Sequence, residues 1–142
     1  MKALPDEVFV GPQIMPSQVY TLAEQGVVSL INNRPDMEGP MQPPSADIAE
    51  QADAHGMGYA YIPMAGGLAP DLIEATLKAY ETMPRPIYTF CLSGMRSTAL
   101  WCFAHVEKYG VDGVLDAAAE AGYSLGQLRG GLSQFLESRS NS

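Results

Sequence analysis

An apolar run passes directly into a cysteine-containing loop in residues 87–97, which read Ile87-Tyr88-Thr89-Phe90-Cys91-Leu92-Ser93-Gly94-Met95-Arg96-Ser97. The run at 87–90 predicts a strand that is buried on both faces of a sheet. The apolar residues after Ser97 predict a helix that ends near Gly110. We therefore expect a strand, a short loop and a helix, with Cys91 at the carboxyl end of the strand.

Strand and helix patterns alternate along the rest of the chain. Further strands are predicted at residues 8–10, 27–31 and 59–62, and helices begin at Pro16, Ser45, Pro70, Asp112 and Ser124. The alternation implies an α/β fold with a mainly parallel central sheet of about four strands flanked by helices. Ligands of such sheets bind outside the carboxyl ends of the strands. We expect residues 1–137 to form one domain and residues 138–142 a frayed tail.

Composition narrows the class of partner. The net charge of −8 disfavours nucleic acid and anionic membranes as partners. No apolar run approaches the roughly 20 residues of a membrane span, and the first residues lack the apolar stretch of a signal peptide, so a cytoplasmic location is expected. With 2 Cys and 2 His, neither a disulfide framework nor a metal site is expected, and no cofactor is predicted.

The loop that contains Cys91 combines features that stabilise an anion. A loop entering a helix N-terminus points backbone N–H groups into one concavity, where the helix dipole adds positive potential. Arg96 adds a permanent charge, and Ser97 can donate a hydroxyl hydrogen bond toward the sulfur. These effects favour a thiolate, so Cys91 is predicted to be a catalytic nucleophile assisted by Arg96 and Ser97. The predicted substrate-binding residues of the loop are Leu92, Ser93, Gly94 and Met95.

The loop at residues 33–44 supplies further candidates for the site. Arg34 can add positive charge, and Asp36 can contact the substrate or protonate a leaving group. A turn role beside a proline is the alternative for Asp36. Met37 and Met41, together with Met64, could form a soft apolar rim, although surface or core filling is the simpler interpretation.

The pattern Cys-x-x-Gly-x-Arg-Ser resembles the active-site loops of single-domain rhodaneses and of cysteine-dependent phosphatases. The chain as a whole is similar to the bacterial phosphatase-like domain of the beta-lactamase-hydrolase-like family, which occurs alone or fused to persulfide dioxygenase domains. The likeness lies in residues 29–36, 61–67, 91–101 and, more weakly, 121–125. It implies a fold like that of the dual-specificity phosphatases, a sulfurtransferase or phosphatase activity, and a persulfide dioxygenase as a partner.

Loop length is the main argument about the reaction. Phosphatases that this chain resembles have Cys-x5-Arg, whereas Cys91 to Arg96 is Cys-x4-Arg, with Ser97 at the phosphatase arginine position. A shorter loop predicts a smaller concavity, which suits a persulfide sulfur better than a phosphoryl group. Asp71, the other carboxyl candidate beside Asp36, is typical of a first helical turn, so no compelling acid is evident.

The leading hypothesis is therefore a rhodanese-like sulfurtransferase that moves sulfane sulfur through a Cys91 persulfide. Its donor is expected to be thiosulfate or a thiol persulfide, and its acceptor a thiol. A cysteine-dependent phosphatase that forms a phosphocysteine at Cys91 is the first alternative. The second is a domain that only binds an anion, carries sulfur or docks with a partner.

Overall fold

A central sheet of five strands carries helices on both faces in the computed structural model, which describes residues 1–140. The strands are β1 (Lys2–Leu4), β2 (Val8–Gly11), β3 (Ser29–Asn32), β4 (Gly58–Tyr61) and β5 (Ile87–Phe90). Their order is β1-β2-β5-β3-β4, in which β1 alone pairs antiparallel. The predicted α/β class and mainly parallel sheet are confirmed. The additional strand is β1, whose three residues are too few to show an apolar pattern.

The helices are α1 (Gln18–Glu24), α2 (Ser45–Ala54), α3 (Pro70–Thr82), α4 (Met95–Glu120) and α5 (Arg129–Ser140). Gly110 interrupts α4 with a φ of 76°, so the two helices predicted there meet at a kink. Helix α5 includes residues 138–140, which the sequence analysis assigns to a frayed tail, and residues 141–142 of that tail lie outside the described residues. Within residues 1–140, none of the helices combines the length and the apolar character that crossing a membrane requires.

The two faces of the sheet bury separate apolar cores. In β5, Ile87 packs into the core that contains residues of α3, α4 and α5, whereas Tyr88 and Phe90 pack into the core beneath α1 and α2. Leu30 and Ile31 divide in the same way in β3. Successive residues of a strand point to opposite faces, so a sheet covered on both sides needs the continuous apolar runs seen in the sequence.

The register of the sheet brings three loops together. Phe90, the last residue of β5, lies opposite Asn32 at the end of β3 on one side and opposite Gly11 at the end of β2 on the other. The segments that start at Pro12, Asn33 and Cys91 therefore leave the sheet at one edge.

The side chain of Asn33 joins the elements at this edge. Its Nδ2 donates to the carbonyl of Ile62 at 2.8 Å, and its Oδ1 accepts hydrogen bonds from Thr89 Oγ1 at 3.0 Å and Ser97 Oγ at 2.8 Å. Its backbone N–H donates to the carbonyl of Phe90 at 2.8 Å. Asn33 is only 1% exposed, so these polar groups are satisfied inside the protein. The network fixes the start of α4 relative to three strands, and with it the cysteine loop.

Asn33→Ala is expected to lower the free energy of unfolding by roughly 2–4 kcal/mol, because two buried hydroxyls and one buried carbonyl lose their partner. Urea unfolding followed by circular dichroism measures the change. The control is Thr82→Ala, which removes an exposed hydrogen bond to the carbonyl of Lys78 and should cost less than about 0.5 kcal/mol. Equal losses in the two variants would contradict the role given to Asn33.

Candidate active site

Cys91 lies at the floor of the loop between β5 and α4, and it is only 1% exposed. The backbone N–H of Gly94 donates to its sulfur, with an N–Sγ distance of 3.1 Å. Gly94 is the N-cap residue of α4, so the sulfur lies at the N-terminus of the part of α4 that precedes the kink at Gly110. The donated N–H and the helix dipole both place positive potential on the sulfur.

Packing and backbone conformation both require glycine at position 94. Its φ of 100° lies in the left-handed region, and an added Cβ would overlap the hydroxyl of Tyr123 and lie 3.2 Å from the carbonyl oxygen of Gly11. The Tyr123 hydroxyl donates to the carbonyl of Ser93 at 2.9 Å and so clamps the loop from the segment after α4. Sequence reasoning missed Tyr123, because a single tyrosine in a connecting segment carries no signal of its partner.

A carboxylate that sequence reasoning also missed holds the guanidinium of Arg96. Arg96 Nη1 lies 2.7 Å from Glu38 Oε2 and Nη2 lies 2.7 Å from Oε1, and Nη1 also donates to the carbonyl of Met64 at 3.0 Å. Hydrogen bonds to Glu38, and then the nearby charge of Cys91, raise the pKa of Arg96. The guanidinium therefore interacts electrostatically with Cys91, and its planar fork has further N–H donors beyond those bonded to Glu38 and Met64.

Glu38 bonds a second arginine from its own loop. Arg34 Nε lies 3.0 Å from Glu38 Oε1, and Arg34 Nη1 donates to Gln13 Oε1 at 3.3 Å. Hydrogen bonds from Arg96 and then from Arg34 lower the pKa of Glu38 to about 2. Arg34, predicted to add charge to the site, thus contacts it through Glu38. The four-residue spacing of Arg34 and Glu38 could have predicted their ion pair. That spacing brings two side chains together only in a helix, however, and this segment is a loop.

Two predicted site residues bond elsewhere. The Ser97 hydroxyl donates to Asn33 Oδ1 rather than to the sulfur, which corrects the predicted contact, because the buried amide oxygen offers a fixed acceptor. Asp36 Oδ1 accepts the backbone N–H of Ser45 at 2.8 Å, and the Asp36 N–H donates to the Tyr61 hydroxyl at 2.8 Å. The Asp36 carboxylate therefore stabilises the N-terminus of α2. A role for Asp36 in contacting a substrate or protonating a leaving group stays a prediction.

The other predicted substrate-binding residues form the outer side of the cysteine loop. Leu92, Ser93 and Met95 are exposed, and the backbone carbonyl of Leu92 accepts the N–H of Gln13 at 3.3 Å. That contact ties the cysteine loop to the segment after β2. A role for these three residues in binding a substrate stays a prediction.

Cys91 at the carboxyl end of a central parallel strand, with Arg96 in the next helix, is an arrangement compatible with a cysteine-phosphatase-like protein. The model of the family described as "Beta-lactamase hydrolase-like protein, phosphatase-like domain" matches residues 1–107, and the chain belongs to this family. The beta-lactamase hydrolase-like protein of Agrobacterium fabrum is 33% identical over 100 residues, which are 68% of this chain and 22% of that protein. The chain thus spans about a quarter of the length of the curated relatives it matches.

Solved structures share the fold. A candidate phosphatase from Neisseria meningitidis Z2491 is similar with a TM-score of 0.81 and 26% identity, over 94% of this chain and 96% of that chain. The core catalytic domain of the PP-IP phosphatase SIW14 from S. cerevisiae gives a TM-score of 0.65 at 17% identity, over 95% of this chain and 82% of that chain. At 17% identity, the similarity to the SIW14 domain shows a shared fold alone. The predicted family resemblance and phosphatase-like fold are confirmed.

The leading hypothesis of a rhodanese-like sulfurtransferase is wrong. The family match and the Neisseria structure are phosphatase-like, and they support neither a sulfane-sulfur donor, nor a thiol acceptor, nor a persulfide dioxygenase partner. The error lies in the argument from loop length. Arg96 projects from the first turn of α4 and bonds to Glu38 and Met64 in two other loops. The number of residues between Cys91 and Arg96 therefore does not set the size of the concavity.

Gly94→Ala is expected to lower the free energy of unfolding by roughly 2 kcal/mol or more, since a left-handed conformation costs about 1–2 kcal/mol and the new methyl group overlaps Tyr123. Chemical unfolding measures the effect. Gly66→Ala is the matched control, because a Cβ there meets no heavy atom within 4 Å. If Gly94→Ala were as stable as Gly66→Ala, the packing described for the loop would be contradicted.

The ion pairs of Glu38 are expected to make stability depend on acid. The folded pKa of about 2 lies below the ordinary 4.5, so the stabilisation is complete above about pH 4.5 and is lost as the pH falls toward 2. Glu38→Gln carries no charge, so the stability difference between wild type and this variant should shrink as the pH is lowered. Thermal unfolding across that range measures it, with the exposed Glu50→Gln in α2 as control. If the stability difference between wild type and Glu38→Gln stayed constant with pH, the ion pairs of Glu38 would not be the source of acid-dependent stability.

Proposed function

We propose that the chain is a cysteine-dependent phosphatase that forms a phosphocysteine at Cys91. The observation that carries the proposal is the position of the Cys91 sulfur at the N-terminus of α4, where it accepts the Gly94 N–H and Arg96 lies in the first turn of the same helix. Such donors hold the oxygens of a phosphoryl group in line with a nucleophile and stabilise the charge that develops during transfer. Membership of a phosphatase-like family supports the same reaction.

The proposed reaction has two displacement steps at phosphorus. In the first, the Cys91 thiolate attacks, a sulfur–phosphorus bond forms, and the bond to the ester oxygen breaks. The departing oxygen anion takes a proton from solvent. In the second, water attacks the phosphocysteine and loses a proton, the sulfur–phosphorus bond breaks, and inorganic phosphate leaves as the thiolate returns. Loop N–H groups and Arg96 stabilise the equatorial oxygens in both steps.

The remaining predicted residues have supporting roles in this proposal. Arg34 acts through Glu38, which orients the Arg96 guanidinium. Ser97 acts through Asn33, which fixes the start of α4. We also propose that residues 1–137 work as one domain, because both apolar cores pack on the same sheet. A reducing compartment such as the cytoplasm would keep the nucleophile as a thiol.

Cys91→Ser is expected to reduce phosphate release from p-nitrophenyl phosphate by on the order of 10³-fold or more, since the hydroxyl is a far weaker nucleophile. Cys102→Ser is the matched control and should keep most of the activity. Cys102 is fully buried, its thiol donates to the carbonyl of Val114 at 3.6 Å, and burial raises its pKa to about 12. Mass spectrometry of quenched reactions should find the phosphoryl group on Cys91.

Two outcomes would reject the proposal. Wild-type activity in Cys91→Ser would remove Cys91 as the nucleophile. Binding of inorganic phosphate without hydrolysis of any phosphate ester would favour the alternative of a domain that only binds an anion.

A further inference from the structure

One peptide group of the cysteine loop is hydrogen-bonded at both of its ends. This peptide joins Ser93 to Gly94. Its carbonyl oxygen accepts the Tyr123 hydroxyl at 2.9 Å, and its N–H donates to Cys91 Sγ at 3.1 Å. Hydrogen bonds in such a chain polarise one another, so donation to the carbonyl makes the N–H a stronger donor. The Tyr123 hydroxyl therefore acts on the sulfur through a single amide.

The end of α4 fixes the position of Tyr123. Gly122 has a φ of 101°, and its N–H donates to the carbonyl of Ala119 at 3.0 Å. The N–H of Tyr123 donates to the carbonyl of Ala118 at 2.9 Å. These two bonds form a Schellman motif, in which a left-handed glycine ends a helix. Because Ala118 is fully buried and the Tyr123 ring packs against the same core, the hydroxyl starts from a rigid base.

The hydroxyl of Tyr123 also packs tightly on the loop. A Cβ added at Gly94 would overlap this hydroxyl, so the two groups are already in contact. Burial, and then the charge of Cys91, raises the pKa of the Tyr123 phenol. The hydroxyl consequently keeps its proton, and remains a donor, at a pH where Cys91 is ionised.

The sulfur also faces Arg96 and Tyr88, whose side chains have other partners. Arg96, from α4, interacts electrostatically with Cys91 and is bonded to Glu38. Tyr88, from β5, is buried, and its hydroxyl donates to the carbonyl of Pro12 at 2.7 Å. The contact of Tyr123 with the loop thus differs from both, because it reaches the sulfur through the backbone.

We propose that Tyr123 is a positioning residue for the chemistry of Cys91, whose hydroxyl orients and polarises the peptide between Ser93 and Gly94 so that its N–H stabilises the thiolate. Tyr123 follows residues 1–107, which the family model matches, so a segment beyond the matched region completes the cysteine loop. The inference rests on the proposed role of Cys91 as the nucleophile and is independent of the substrate.

Tyr123→Phe removes the hydroxyl and keeps the ring. Ultraviolet absorbance of the thiolate, recorded as the pH is raised, reports the ionisation of Cys91 without requiring turnover. The same variant carrying Cys91→Ser supplies the background. We expect the midpoint of the titration to move toward higher pH by about 0.5 to 1 unit, which is about three- to tenfold in the ionisation equilibrium and corresponds to the loss of one hydrogen bond.

Tyr109→Phe is the matched control. The Tyr109 hydroxyl also donates one hydrogen bond, to Asp6 Oδ1 at 2.6 Å, and Asp6 precedes β2 at the edge of the sheet opposite to Cys91. This variant should keep the wild-type midpoint. A ring-fluorinated tyrosine at position 123 is a stronger donor, so it should move the midpoint toward lower pH. A role in packing alone predicts no such opposite shift.

Coincident titrations of wild type and Tyr123→Phe would overturn the proposal, as would an equal shift in Tyr109→Phe. If Tyr123→Phe does not fold, the fluorinated protein decides, and a midpoint that stays in place or moves to higher pH rejects the role. The titration needs no phosphate ester. A shifted midpoint in a protein that hydrolyses none therefore rejects only the phosphatase reaction, whereas hydrolysis with an unshifted midpoint rejects only the role of Tyr123.

Discussion

The buried amide of Asn33 is the contact on which the geometry of the site depends. Its oxygen accepts two hydroxyl groups, from Thr89 in β5 and from Ser97 in α4, and its nitrogen reaches the residue after β4. These groups are buried, so water does not compete for the hydrogen bonds, which act in a low dielectric. Because Ser97 follows Arg96 directly, this contact sets where the guanidinium leaves the helix and where the helix N-terminus meets the sulfur.

The site divides into a neutral floor and a charged mouth. Neutral hydrogen bonds from Ser97 to Asn33, from Tyr123 to Ser93 and from Gly94 to the sulfur hold the loop in place. At the mouth, Glu38 binds Arg96 bidentately and Arg34 once. These ion pairs are partly buried, so they orient the Arg96 guanidinium and also contribute to stability. Since Glu38 stays ionised down to about pH 2, that orientation persists wherever a thiolate can exist.

The sequence predicted the parts of the molecule that depend on local pattern. Continuous apolar runs revealed three buried strands, and the order of Cys91, Gly94 and Arg96 revealed the loop. The contacts that the sequence did not predict depend on tertiary packing. Glu38 bonds to Arg96 and Tyr123 bonds to Ser93, and both come from segments whose position in the fold cannot be inferred from a local sequence pattern. The direction of the Ser97 hydroxyl was wrong for the same reason. The reaction was misassigned because counting loop residues ignores the other two loops that complete the concavity.

Three residues with positive φ lie in two loops at the proposed site, and others lie elsewhere, such as Asp6 and Glu7 between β1 and β2. Gly94, Met37 and Met41 all have positive φ, although the strands and helices that support them are regular. At Gly94 the left-handed conformation accompanies an N–H that donates to the Cys91 sulfur. At the two methionines the same region of backbone space turns apolar side chains outward, against the usual preference for burial. A rigid sheet, buried on both faces, is what allows such costly loops to persist, because their free energy is small beside that of the two cores.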